Sequence, residues 1–228
     1  MNRLALIALV LLAACARPLS PGETAFAATL FGKDMATEKV RVAPFPALSR
    51  ISAKRPPRPR LACRERIWPP EPADKGPVTT FTAAFVSFNR VNIANALFLP
   101  DYLPRYPEKM SLPAAMLIGH ELVHVWQWQN RDRTGYHPLK AAAEHRPGKD
   151  PYLLEFSQQS RFLDFPYEQQ GAIVEEYICC RSLDPLGNRT ARLHAMLSAE
   201  LPLEQLSALP KTDAVLPWKD VKTAGICS

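Results

Sequence analysis

His120, Glu121 and His124 fall in the run Leu117 to Gln129 (LIGHELVHVWQWQ) with the spacing H-E-x-x-H. On an α-helix, residues i and i+4 share a face, so both imidazoles can reach one metal ion while Glu121, a step round, faces a water on that metal. Those residue types at that spacing suit zinc-assisted hydrolysis, with the carboxylate as proton acceptor. The plainer alternative is a pair of ordinary helix histidines beside a solvated glutamate. It sits poorly in an otherwise apolar run, where unpaired polar side chains are costly to bury.

The surrounding residues predict the helix that must carry the motif. Ser111 can cap it, Pro113 suits its first turn, and Ala114 to Ile118 extend it, with Gly119 the one weak helix former. Leu122, Val123 and Trp126 make a second, apolar stripe that anchors the helix in a core.

A catalytic zinc needs a third protein ligand and a fourth position open to water. The metzincin solution, a glycine and then a histidine shortly after the motif, fails because those positions are Gln127 and Asn130. The better source is Phe165 to Arg181 (FPYEQQGAIVEEYICCR), which reads as a second amphipathic helix beginning near Pro166. Glu168, Ala172 and Glu175 fall at i, i+4 and i+7, and Gly171 and Ala172 are small enough for close packing on the first helix. Glu168 is the expected ligand and Glu175 the expected acceptor for a histidine N–H, with the reverse assignment open. His137, His145 and His194 are weaker ligand candidates and candidate transition-state donors.

The HELVHVWQWQ helix followed some forty residues later by YEQQGAIVEEY resembles the zincin-like metallopeptidase domains of bacteria, some of which occur beside secretion-spike and toxin proteins. The stretch Pro21 to Val42 is similar to the lead-in of such domains, and the likeness spans residues 21 to 181. It implies an α+β, zincin-like fold and the His-His-Glu zinc site of gluzincins, with Glu168 in the ligand position. One departure is Ala172, where gluzincins carry an aspartate four residues after the ligand glutamate. By the same resemblance, Ala94 to Leu99 is the expected edge strand against which an extended substrate pairs, the competing view being an interior strand.

The N-terminus reads as a targeting segment. Arg3 precedes an apolar stretch, Leu4 to Leu12, that is too short to span a bilayer, and Leu12-Ala13-Ala14-Cys15 matches the lipobox of bacterial lipoproteins. Residues 1–14 are the expected signal peptide, Cys15 the lipidated residue, 15–20 a tether and 21–228 one domain. Ala16 in place of an aspartate favours the periplasmic face of the outer membrane. An ordinary cleaved signal with a soluble product is the alternative.

Setting Cys15 aside leaves Cys63, Cys179, Cys180 and Cys227, an even set suited to an oxidising compartment. A bond between adjacent Cys179 and Cys180 would be strained, so Cys63 and Cys227 are each expected to join one of that pair.

The formal charge is +6, with much of the excess between Arg50 and Arg66 (RISAKRPPRPRLACRER). That stretch suits an anionic surface or polymer, or a solvated loop. No nucleic-acid recognition motif accompanies it, so no nucleic-acid partner is expected. The 23 prolines predict irregular connections around a few helices. Helices are expected at Glu23 to Phe31, Leu139 to His145 and Arg189 to Leu209, the last interrupted by Pro202, and strands at Lys39 to Val42, Phe81 to Phe88 and Val91 to Leu99.

The functional expectation is a zinc metallopeptidase acting on a peptide or protein substrate, with Glu121 as general base and Tyr167, Tyr177, Tyr136 or His137 as candidate donors to the oxyanion. Two rivals are a non-catalytic scaffold lipoprotein in which zinc joins two helices, supported if His137 or Glu175 closed the coordination sphere, and hydrolysis of a cell-wall peptide or amide.

Overall fold

The structure, a computed structural model, describes residues 16–70, 76–146, 149–153, 161–208 and 211–228. The expected signal peptide and Cys15 lie outside them. Ser20 opens helix α1 (Pro21–Phe31) through a reciprocal cap: its hydroxyl accepts the Glu23 N–H, and the Glu23 carboxylate accepts the Ser20 N–H. Strands β1 (Arg41–Pro44) and β2 (Ser52–Arg55) follow, then the single-turn helix α2 (Cys63–Arg66). Next come strands β3 (Val78–Phe81), β4 (Ala84–Ser87), β5 (Arg90–Ile93) and β6 (Lys109–Ser111). Helix α3 (Leu112–Gln129) starts at Ser111 with Pro113 in its first turn, although the serine side chain makes no capping bond. Short helices α4 (Arg131–Thr134) and α5 (Pro138–Ala142) lead to the long α6 (Tyr167–Leu183), followed by α7 (Asn188–Ser198) and strand β7 (Asp213–Val215).

The sheets are small and mixed, giving an α+β architecture. β5 lies between β1, to which it is parallel, and β4, to which it is antiparallel. β2 and β3 form an antiparallel pair, and β6 pairs in parallel with β7. α3 packs on α6, and the apolar stripe Leu122, Val123 and Trp126 is buried together with Ile173, Val174 and Tyr177. A Cβ on Gly119 would stand 2.4 Å from Ile178 Cδ1, which places this glycine at the helix contact.

Several sequence expectations are corrected. Ala94 to Leu99 is not a strand: β5 ends at Ile93, and Asn95–Leu97 forms a single 3-10 turn. Tyr102 holds that turn, its hydroxyl donating to the Leu97 carbonyl and accepting the Leu99 N–H, so side-chain bonding overrides the β-prone run. The edge strands of that sheet are β1 and β4. The Phe81 to Phe88 run divides between β3 and β4, and the first strand begins at Arg41 because Thr37–Lys39 forms a 3-10 turn. The Leu139 to His145 helix is shorter and shifted, opened by the His137 ring, which accepts the Leu139 N–H. The helix expected to reach Leu209 ends at Ser198, in keeping with the bias of Pro202 against helix in the residue before it.

Two disulfides, Cys63–Cys179 and Cys180–Cys227, fasten α2 and the C-terminal tail to adjacent positions on α6. The buried Glu176 carboxylate strengthens the first attachment by accepting the N–H groups of Cys63 and Arg64 at 2.9 and 3.1 Å. Replacing Cys63 and Cys179 together by serine is expected to lower the unfolding free energy by about 3 kcal/mol. Urea denaturation of the oxidised proteins measures this, and an unchanged midpoint would remove the bond from any stabilising role.

Candidate metal centre

Helix α3 presents His120 and His124 from one face, and α6 presents Glu168 opposite them. The two Nε2 atoms are 3.2 Å apart, and Glu168 Oε2 lies 3.2 Å from His120 Nε2 and 3.5 Å from His124 Nε2. All three side chains are buried. Gly171 makes the approach possible: a Cβ there would stand 2.5 to 2.7 Å from Cε1, Nε2 and Nδ1 of His120. The ring therefore rests directly on the backbone of α6.

Hydrogen bonds behind the rings determine which nitrogens carry protons. The Phe165 carbonyl can only accept, so the Gln170 amide donates to it at 2.7 Å. Gln170 Oε1 then accepts from Gln127 Nε2 at 2.9 Å, which turns Gln127 Oε1 toward His124 Nδ1 at 2.8 Å. Nδ1 of His124 is thus the donor, and its Nε2 carries the lone pair. On the other ring, His120 Nδ1 faces Glu175 Oε1 at 3.0 Å, and Glu175 in turn accepts from Arg64 Nη1 at 2.9 Å. An ionised Glu175 requires a proton on that Nδ1, so His120 Nε2 also presents a lone pair. With both rings in that form, two nitrogen lone pairs and a carboxylate oxygen converge on one point, a donor set that could hold a metal ion.

With nothing else between these groups, electrostatics draws protons to the same point. Burial alone would depress the His120 imidazole, but Glu168 and Glu175 outweigh it and raise its proton affinity well above the ordinary value. His124 is likewise raised, burial being overcome chiefly by Glu168. Despite burial, His124 and His120 hold the Glu168 carboxyl far below the usual range. Glu175, half-buried and drawn down by His120 and Arg64 against the effect of burial, falls to about 2. Glu121 moves the other way: burial pushes its carboxyl up, only partly offset by His120 and His124. Its Oε2 is buried without a hydrogen-bond partner among the described residues.

Glu121 and His120 form the floor of an open cleft of about 700 Å³, walled by β2, residues 80–84 and the segment around Asp150. His145 and Tyr152 stand in the same cleft, with His145 Nε2 2.9 Å from the Tyr152 hydroxyl and 4.0 Å from Glu168 Oε1. Most of the donors expected from the sequence are engaged elsewhere. The Tyr177 hydroxyl is turned to His194 Nδ1 at 2.8 Å, Tyr167 donates to the Gly135 carbonyl, and His137 caps α5. Tyr136 alone of that group lies near, stacked on His124 with centroids 5.8 Å apart.

Sequence reasoning missed Gln127, Arg64, Glu144 and Tyr152. Gln127 sits three residues after His124 on the same face, a signal that was present. Arg64 follows Cys63, whose expected bond to Cys179 or Cys180 already pointed to the ligand helix; its guanidinium also donates to the Tyr152 carbonyl. Glu144 reaches across to accept the N–H groups of Tyr167 and Glu168, both at 2.9 Å, capping α6 beside the cluster. No local pattern announces that contact.

The donor set fits a borderline divalent ion: two imidazole nitrogens, one carboxylate, and an unpartnered carboxylate alongside. Neither protein-family models nor curated sequences match this chain. Among solved structures, the effector domain of Pseudomonas aeruginosa VgrG2b is similar in fold, with a TM-score of 0.50 and 21% identity over 81% of this chain and 83% of that one.

Gly171→Ala is expected to destabilise the protein by about 1 to 3 kcal/mol, since the new methyl must displace a ring held on both sides. Gly119→Ala, which meets only the end of a flexible isoleucine and gains helix propensity, should stay within about 1 kcal/mol of the parent. Chemical denaturation of the two variants tests the contrast, and equal losses would refute it.

Proposed function

We propose that this chain is a zincin-like, zinc-dependent hydrolase that cleaves peptide bonds, with His120, His124 and Glu168 as metal ligands and Glu121 as general base. The observation that carries this reading is the triangle of lone-pair atoms with edges of 3.2, 3.2 and 3.5 Å. Donors about 2.0–2.1 Å from a tetrahedral zinc stand about 3.3 Å apart. Zinc held there supplies Lewis acidity and makes water a nucleophile near neutral pH.

The protein's own residues divide the remaining work. Glu121 is buried, unpaired at Oε2 and raised in proton affinity, which suits a carboxylate that takes a proton from attacking water and returns it to the leaving nitrogen. Glu175 and the Gln127–Gln170 pair keep both imidazoles in the Nδ1–H form. His145 and Tyr152 can donate to an oxyanion in the cleft. Ala83 and Ala84 line the cleft where β4, one edge of its sheet, begins; with the Ala83 carbonyl taken by the Ala94 N–H, an extended peptide would pair along the outer side of that strand.

A closed structural site lacks support, because Glu175 contacts His120 on its far nitrogen and His137 is occupied in capping. We further propose export and lipidation at Cys15, with anchoring to the periplasmic face of the outer membrane. The paired cysteines suit that compartment, and among the described residues no helix is long and apolar enough to cross a bilayer.

Glu121→Gln is expected to retain stoichiometric zinc by elemental analysis while hydrolysis of a peptide library falls at least about a thousandfold. Retained turnover would remove Glu121 as base, and zinc without turnover in the wild type would favour a scaffold. Glu175→Gln is expected to weaken zinc binding about 10- to 100-fold in chelator competition, as loss of an orienting acceptor does. Unaltered affinity would dismiss that orienting role.

A further inference from the structure

The basic stretch between Arg50 and Arg66 has a definite destination. Residues 52–55 form β2, one wall of the cleft, and Arg58 and Arg64 also line it. Arg146 and Lys149 line it as well. The cleft thus presents six cationic side chains (Lys54, Arg55, Arg58, Arg64, Arg146, Lys149) against three carboxylates, Glu121, Asp150 and Glu175. Two of the carboxylates are already committed, Asp150 to Arg58 and Glu175 to Arg64. Lys54, Arg146 and Lys149 are exposed and, among the described residues, have no carboxylate within ion-pair distance.

We infer that the cleft selects acidic polypeptide segments, with aspartate or glutamate side chains reaching the lysines and arginines that line it. This rests on the hydrolase reading for the bond that is cut, but the charge selection stands on the walls alone. A polypeptide fits better than a lipid surface because the cations line a concavity. A chain can thread it, whereas a flat bilayer meets only its rim. The volume of about 700 Å³ accommodates a few residues of an extended chain.

The test uses two fluorescein-labelled peptides that differ only in glutamate or glutamine at the positions flanking a common central pair. Binding of each to the full chain carrying Glu121→Gln is followed by fluorescence anisotropy. The glutamate peptide is expected to bind about tenfold more tightly at low ionic strength, with the preference shrinking as salt rises. Adding Lys54→Glu and Lys149→Glu is expected to abolish the preference. Equal affinity of the two peptides overturns the inference. So does tight binding to phosphatidylglycerol vesicles without binding of the glutamate peptide. Wild-type turnover of the same peptides is read separately: preference in binding without cleavage sinks the hydrolase reading and upholds the charge selection.

Discussion

The close approach of α3 and α6 is the constraint from which the rest follows. Because Gly171 carries no side chain, the His120 ring lies on the backbone of α6, and Glu168, one turn earlier on that helix, comes within 3.2 Å of it. A methyl group at residue 171 would occupy the space of the ring, and the three donor atoms could not share one centre. Burying His120, Glu121, His124 and Glu168 in an apolar helix pair is expensive unless each finds a counterpart. His120, His124 and Glu168 find it in one another, whereas Glu121 Oε2 is left unpaired among the described residues.

The polar contacts behind the rings are extensions of the same packing. Gln170 is anchored by a carbonyl at the start of α6, Gln127 by Gln170, and His124 by Gln127, so one backbone oxygen decides the tautomer of a ring several bonds away. On the other side, Arg64 reaches Glu175 because α2 is fastened to α6 by a disulfide and by Glu176. The cluster is therefore supported from three directions by segments far apart in the chain.

What could be read in the sequence was what helical periodicity encodes. His120 and His124 at i and i+4, Glu168 and Glu175 two turns apart, and small residues between them all follow from 3.6 residues per turn, and each side chain lies on the face that this period predicts. The cysteine arithmetic was legible because adjacent cysteines exclude each other. Contacts between distant segments were not. Glu144 over the start of α6, Arg64 beside Glu175, and Tyr152 near His145 depend on how loops return to the cleft, and no local pattern records that. Strand limits failed for a related reason: Tyr102 turned an apolar β-prone run into a 3-10 turn through side-chain bonds that β propensity does not weigh. The basic stretch showed its charge in the sequence, but only its pairing as β2 with β3 brought it to the cleft.

The bond from Cys63 to Cys179 encloses half the chain, including both histidines, the proposed general base and the loops that border the cleft. A single backbone scission anywhere within that span would leave the two pieces covalently tied and their helices still in register. For a protein read as a peptidase, this confers tolerance of self-inflicted nicks, which would escape notice on a gel run without reductant.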